Sequence, residues 1–182
     1  MQIAVYCGSK SGHSTEYIDL ATNLGQQMAR RQHDLIYGGA NIGLMGAVAD
    51  AVLAGGRQVL GVMPKALVDR EVAHPGITEL QVVDTMHERK AGMADPADAF
   101  VALPGGPGTM EELFEVWTWQ MLGYHNKPVA ILNHRGYYDP LLTMITRMTE
   151  QGFAWADLTT TLIIESTVDS LLTTLESQVR PQ

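Results

Sequence analysis

Cysteine is almost absent from this chain, since Cys7 is the only one among 182 residues. No internal disulfide can form, and this usage is typical of a reducing cytoplasm. Runs of Lys and Arg are also missing and the formal net charge is -8, which disfavours a nucleic acid polymer as partner. No apolar run approaches the roughly 18 residues of a membrane-spanning helix, and no basic leader segment precedes the first apolar run. We therefore expect a cytoplasmic protein that binds neither a membrane nor a nucleic acid polymer.

The sequence also shows no sign of a metal site or of a domain boundary. The six histidines show no metal-ligand spacing, so no metal is expected. The length is enough for one domain with a sizeable core. No linker, low-complexity stretch or internal repeat divides the chain. We therefore predict a single domain over residues 1–182.

Short apolar runs alternate with helix-like segments along the chain. The runs predict strands at Ile3–Cys7, Leu35–Tyr37, Gln58–Met63, Leu80–Val83, Phe100–Leu103, Val129–Leu132 and Thr161–Ile164. Strands that alternate with helices through short turns are typical of a parallel sheet with helices on both faces. We therefore predict an α/β fold with about seven strands. Right-handed crossovers would put every strand-to-helix turn at one edge of the sheet, where such folds bind ligands.

Glycine-rich turns follow three of these strands, after Cys7, Tyr37 and Leu103. Glycine leaves the backbone N–H groups open to close approach by an anion. Because the three turns share one edge of the sheet, together they predict a phosphate site. The third turn, P-G-G-P-G-T, matches neither G-x-x-x-x-G-K-[ST] nor G-x-G-x-x-G, so it indicates neither a P-loop ATPase nor the dinucleotide fingerprint.

The start of the helix after the third turn carries two expectations. Thr109 is predicted to cap this helix, and Glu112, three residues on, is predicted to complete a capping box. Glu111 and Glu112 have two interpretations: they are ordinary acids at a helix N-terminus, or one of them is a catalytic carboxylate.

The same helix, Met110–Leu122, is apolar nearly all round. Phe114, Trp119 and Leu122 lie off its main apolar stripe. A helix of this kind is buried on more than one face. The sheet would cover one face, and we expect a second subunit to cover the other.

Four polar or sulfur-containing side chains near the same edge of the sheet each have two interpretations. Arg89 and Lys90 bind phosphate or orient a reacting group, or they lie on a solvated helix face. Ser9 donates its hydroxyl to a phosphate, or it caps its own turn. Met86 packs on a base, or it lies in the core. Cys7 ends an apolar strand and is interpreted as a core thiol.

Two motifs make the chain resemble a known family. Residues 104–112 read P-G-G-P-G-T-M-E-E and resemble the P-G-G-x-G-T-x-x-E signature of the LOG (lonely guy) family. Residues 86–90 read M-H-E-R-K and resemble its M-H-x-R-K motif, and similar blocks such as Cys7–Ser9, Tyr37–Gly39 and Gly136–Asp139 follow in order through nearly the whole chain. LOG proteins are cytokinin riboside 5′-monophosphate phosphoribohydrolases, formerly mislabelled lysine decarboxylases. Lys10 departs from the family, which usually has serine there.

The resemblance implies a Rossmann-like homodimer that hydrolyses the N-glycosidic bond of purine nucleoside 5′-monophosphates, AMP included. The products would be the free base and ribose 5-phosphate, and no cofactor would be needed. It implies that Arg89 and Glu112 are the catalytic pair. Together with the glycine turns, it assigns substrate binding to Gly8, Ser9, Gly39, Glu71, Met86, Arg89, Lys90, Gly105, Gly106, Pro107, Gly108, Thr109, Met110, Glu111 and Thr118.

The chemistry of the implied reaction agrees with these residue types. Cleavage of an N-glycosidic bond builds positive charge on the ribose, which a carboxylate stabilises while it positions or deprotonates water. The alternative is a non-catalytic nucleotide- or cofactor-binding carrier, because molybdenum-cofactor carriers share the same glycine loop. The presence of both Arg89 and Glu112 favours the enzyme.

Overall fold

The computed structural model describes residues 1–68, 73–154 and 160–179. The strands are β1 (Gln2–Tyr6), β2 (Asp34–Tyr37), β3 (Val59–Pro64), β4 (Glu79–Val83), β5 (Ala99–Ala102), β6 (Val129–Leu132) and β7 (Leu162–Glu165). The helices are α1 (Glu16–Arg30), α2 (Gly43–Ala54), α3 (Lys65–Val68), α4 (Met86–Ala94), α5 (Pro107–Met121), α6 (Asp139–Glu150) and α7 (Val168–Gln178), with a 3-10 turn at His134–Gly136. The sequence pattern did not predict α3 or the 3-10 turn.

The seven strands form one parallel sheet with the order β4-β3-β2-β1-β5-β6-β7. One apolar core lies between this sheet and α1, α2 and α7, and a second lies between the sheet and α4, α5 and α6. The predicted α/β class, with helices on both faces, is confirmed. None of the helices in the described ranges is long and apolar enough to cross a membrane.

The order of the strands reverses at β1, which lies between β2 and β5. Strands β2, β3 and β4 lie in order on one side of β1, and β5, β6 and β7 lie in order on the other. The loops that follow β1 and β5 therefore lead to opposite faces of the sheet, to α1 and to α5. In open α/β sheets the crevice at this reversal is the usual ligand site. Here the two loops stay in contact across it, because Gly8 N–H donates to Pro104 O at 3.2 Å.

The predicted capping box at the start of α5 is wrong. The helix begins at Pro107 with Gly106 as its N-cap residue, and no side chain caps it. Proline suits the first helical position because its φ is already helical and its missing N–H would have no intrahelical partner there. Thr109 and Glu112 therefore lie inside the helix. The capping box occurs instead at α4, where Thr85 and Glu88 cap each other.

Helices α1 and α2 pack so closely that one position between them has no room for a side chain. A Cβ atom at Gly25 of α1 would lie 2.6 Å from Val48 O and 2.7 Å from Ala51 Cβ of α2. This contact matters for the ligand edge, because α1 begins next to the first glycine turn and α2 next to the second.

We predict that Gly25→Ala destabilises the fold, although alanine in a helix interior is normally favoured over glycine by about 1 kcal/mol. Forcing a methyl group into the contact between α1 and α2 should cost about 1–3 kcal/mol. The measurement is the midpoint of urea unfolding. Gly108→Ala is the matched control, since Gly108 is also helical but a Cβ there would have nothing within 4 Å; a Gly25→Ala midpoint at or above that of the control would contradict the packing argument.

Candidate active site

A cavity of about 500 Å³ lies at the reversal point of the sheet, between the first and third glycine turns. Its floor carries the Arg89 and Glu112 side chains. The cavity is lined by Cys7, Gly8, Ser9, Lys10, Ser11, Gly12, Tyr17, Leu44, Met45, Arg89, Pro104, Gly105, Gly106, Pro107, Gly108, Thr109, Glu112 and Tyr137. A larger and more open depression of about 960 Å³ lies between α1 and α2. We place the candidate site in the smaller cavity, because the glycine turns and the acid–base side chains converge there.

Arg89 and Glu112 form a buried ion pair. Arg89 Nη1 lies 3.3 Å from Glu112 Oε1, and the two side chains are only 8% and 9% exposed. Little water reaches this pair, so the attraction between the charges is weakly screened, and the loss of one partner would leave a buried charge uncompensated. The site therefore holds a negatively charged group of fixed position at the floor of the cavity.

The remaining nitrogen atoms of Arg89 hold the guanidinium in place. Nε donates to Val62 O of β3 at 3.1 Å, and Nη2 donates to Gly38 O in the second glycine turn at 3.5 Å. A Cβ atom at Gly38 would collide with the guanidinium. The second glycine turn thus makes room for Arg89, whereas the sequence pattern predicted that it would face the phosphate.

Backbone N–H groups line the other side of the cavity. Because α5 begins at Pro107, the N–H groups of Gly108 and Thr109 lie in its first turn, where no intrahelical acceptor exists. The positive end of the helix dipole adds to their attraction for an anion. The third turn stays narrow because Gly105 packs directly against the Thr109 side chain, where a Cβ atom would not fit.

Cys7 and its neighbour Tyr6 are the buried titratable groups near Glu112. Cys7 lines the cavity but is 3% exposed. Burial raises the pKa of the Cys7 thiol, and the negative charge of Glu112 raises it further. Burial, and then the same carboxylate, also raises the pKa of Tyr6. A thiol held in its neutral form is a poor nucleophile, which agrees with the interpretation of Cys7 as a core residue.

The structure brings together many of the predicted site residues. Those that line the cavity are Gly8, Ser9, Arg89, Gly105, Gly106, Pro107, Gly108, Thr109 and Glu112. Those that lie outside its lining are Gly39, Met86, Lys90, Met110, Glu111 and Thr118. Gly39 is buried beside Met63 and Leu80, whereas Met86 and Thr118 are exposed. Glu71 lies outside the described residues.

Lys90 lies between two helices and not in the cavity. Its Nζ donates to Glu111 Oε1 at 2.5 Å and to Glu115 Oε1 at 2.9 Å. The hydrogen bond with Glu111 raises the pKa of Lys90. These bonds join α4 to α5, so they help to hold Arg89 of α4 against Glu112 of α5.

Sequence reasoning missed two tyrosines of the site, Tyr17 and Tyr137. Their rings meet edge to face with centroids 5.9 Å apart, and both line the cavity. A signal for Tyr137 was present, because it follows the carboxyl end of β6, which neighbours β5. Tyr17 gave no such signal, since it stands at helical spacing from Leu20 and Leu24, as an apolar residue that faces the core would. Among the described residues, no cluster of His, Cys, Asp and Glu is arranged to hold a metal ion.

A cavity at the reversal point of a parallel sheet, walled by glycine turns and a helix N-terminus, is typical of α/β proteins that bind phosphorylated small molecules. Comparison with known proteins then identifies the family. The model of the family described as "Possible lysine decarboxylase" matches residues 45–175. The chain is also 50% identical to the cytokinin riboside 5′-monophosphate phosphoribohydrolase LOG of Oryza sativa subsp. japonica, over 98% of this chain and 74% of the relative. The chain belongs to this LOG family.

Another relative and a solved structure extend the comparison. The cytokinin riboside 5′-monophosphate phosphoribohydrolase LOG2 of Arabidopsis thaliana is 48% identical over 98% of this chain and 84% of its own length. The molybdenum cofactor binding protein of Rippkaea orientalis superposes with a TM-score of 0.74 at 19% identity, over 98% of this chain and 97% of that one. At this level of identity, the likeness to the molybdenum cofactor binding protein shows a shared fold alone.

Proposed function

We propose that the protein is a phosphoribohydrolase that cleaves purine nucleoside 5′-monophosphates of the cytokinin type, AMP included, into the free base and ribose 5-phosphate. The observation that carries this proposal is the buried Arg89–Glu112 pair at the floor of a cavity with an anion-binding rim. Membership of a family whose relatives bear this activity in their names supports it. The presence of both Arg89 and Glu112 in the lining of one cavity favours the enzyme over a carrier that only binds its ligand.

In the proposed reaction, the bond between C1′ of the ribose and the base nitrogen breaks, and its electron pair leaves with the base. Positive charge then develops on the ribose, and the Glu112 carboxylate stabilises it. Glu112 also accepts a proton from the attacking water, whose oxygen bonds to C1′. The departing base takes up a proton from solvent, and Glu112 returns its proton to solvent, so that one water is consumed in each turnover. Arg89 holds the carboxylate in its charged form and in one place. No cofactor takes part.

The 5′-phosphate would bind at the rim, where Gly106, Gly108 and Thr109 offer backbone N–H groups. Arg89 already contacts Glu112 and two carbonyl oxygens. Of the described residues that line the cavity, the other cation is Lys10, which is exposed beside the first turn. We therefore assign the charge that accompanies the phosphate chiefly to Lys10.

Two wider proposals go with this function. The chain acts as one domain in the cytoplasm, where the buried thiol of Cys7 stays reduced. It also acts as a homodimer built on α5, although the sheet covers more of this helix than the sequence pattern predicted, because Phe114 and Trp119 pack partly against the core. The apolar surface that remains is at the end of the helix, where Met121 is 40% exposed and Leu122 is 55% exposed.

The first prediction concerns the carboxylate. Glu112→Gln should lower the melting temperature, because it leaves the buried Arg89 charge without its partner. The folded variant should still bind AMP, but its kcat should fall by about 100-fold or more, because an amide neither stabilises a cation nor accepts the proton of water. Free adenine released from AMP, separated by chromatography, measures turnover. Glu150→Gln, on the exposed face of α6, is the control for loss of one carboxylate. Near-normal turnover of Glu112→Gln would refute the assignment.

The second prediction concerns the phosphate. AMP should be a far better substrate than adenosine, and Lys10→Gln should raise KM for AMP about tenfold with kcat little changed, as expected for the loss of one charged hydrogen bond. Lys65→Gln, an exposed lysine outside the cavity lining, is the matched control. Equal kcat/KM on adenosine and AMP would show that the glycine turns have another purpose.

The third prediction concerns the dimer. Leu122→Glu should weaken self-association and activity together, because it places a charge in an apolar contact. Leu122 is a better position for this test than Trp119, whose partial burial in the core would confound association with folding. Sedimentation at low micromolar concentration beside an activity assay gives the answer, and Met144→Glu, at a methionine of α6 that is 53% exposed, is the control. A wild-type protein that sediments as a fully active monomer would overturn the dimer.

A further inference from the structure

Two consecutive tyrosines between β6 and α6 reach across to the third glycine turn. Tyr137 Oη donates to Gly105 O at 2.6 Å, and Tyr138 Oη donates to Leu103 O at 2.6 Å. The two acceptors flank Pro104, at the point where β5 ends and the glycine turn begins. The chemistry proposed above gives neither hydroxyl a part.

The segment that carries these tyrosines is held in shape by its own hydrogen bonds. Tyr138 N–H donates to Asn133 Oδ1 at 2.8 Å, and Asn133 Nδ2 donates to Asp139 Oδ1 at 2.8 Å. Arg135 has a positive φ of 53° and pairs with Glu16 at the start of α1. The tyrosines are therefore presented to the third turn by an ordered backbone.

The two tyrosines differ in what surrounds them. Tyr138 is 2% exposed and packs in the core on one side of the sheet. Tyr137 is 39% exposed, lines the cavity, and meets the ring of Tyr17 edge to face. The Tyr17 ring in turn packs against the first glycine turn, since a Cβ atom at Gly12 would lie 2.8 Å from it. Tyr137 thus connects the third turn, through Tyr17, to the first.

We propose that Tyr137 is a positioning residue that sets the direction of the phosphate-binding amides in the third glycine turn. A trans peptide is planar, so its C=O and the following N–H point in opposite directions. The hydrogen bond that fixes the Gly105 carbonyl therefore also fixes the Gly106 N–H. Because neither Gly105 nor Gly106 has a side chain, the backbone of this peptide has more conformational freedom than one between larger residues, and the bond from Tyr137 holds its carbonyl in one direction. The proposal rests on the proposed function in one respect, that the ligand carries a phosphate.

The test compares Tyr137→Phe with Tyr138→Phe, which each remove one hydroxyl from the same turn. Tyr137→Phe should weaken the binding of ribose 5-phosphate and raise KM for AMP about fivefold, the effect of one hydrogen bond. Its melting temperature and its affinity for adenosine, which lacks the phosphate, should stay at the wild-type values. Tyr138→Phe should lower the melting temperature, because it leaves the buried Leu103 carbonyl without this donor. Tyr124→Phe, at a tyrosine that is 77% exposed, is the control for the substitution itself.

Calorimetric titration with ribose 5-phosphate and with adenosine separates this inference from the proposed reaction, because neither titration requires turnover. A wild-type protein that binds ribose 5-phosphate but releases no adenine from AMP would count against the reaction alone. Selective loss of ribose 5-phosphate binding in Tyr137→Phe supports the positioning role. Unchanged affinity for ribose 5-phosphate, or an equal loss for ribose 5-phosphate and adenosine, would overturn it.

Discussion

The buried ion pair between Arg89 and Glu112 is the constraint on which the arrangement of the site depends. A charge so far from water is stable only when its partner is held close and its other hydrogen-bonding atoms are satisfied. Val62 O and Gly38 O meet this requirement for the guanidinium. The pair also requires α4 and α5 to lie side by side across the sheet, and the bonds of Lys90 to two glutamates of α5 reinforce that contact.

The three glycine turns have two different roles at the ligand edge of the sheet. The turns after β1 and β5 face the cavity and offer N–H groups, whereas the turn after β2 leaves room for Arg89. These roles are linked, because Leu44 N–H, next to the second turn, donates to Gly8 O of the first at 3.1 Å. The cavity is therefore a joint product of three turns, although only two of them line its rim.

The positive charge at the rim of the cavity is local, whereas the chain as a whole is negatively charged. The protein has a formal net charge of -8, and a carboxylate lies at the floor of the cavity where a phosphorylated ligand would bind. Favourable binding then depends on the N-terminus of α5 and on Lys10 at the rim. In the proposed reaction this separation would put the negative group beside the sugar and the positive groups beside the phosphate, which suits a reaction that builds positive charge on the sugar.

Local pattern alone determined much of this protein. Alternating apolar runs predicted the parallel sheet, because strand and helix periodicities are properties of short segments, and the three glycine turns marked the ligand edge because right-handed crossovers place them together. The resemblance of the motifs around Arg89 and Glu112 to a family signature made these two residues the candidate catalytic pair, a prediction that the fold alone does not test. The tertiary structure decided the rest. Thr109 is not a cap, since Pro107 starts the helix two residues earlier. Lys90 faces glutamates of another helix, and Tyr137 and Tyr17 enter the site from segments remote in sequence. Such contacts depend on which elements become neighbours in space, and no single segment contains that information.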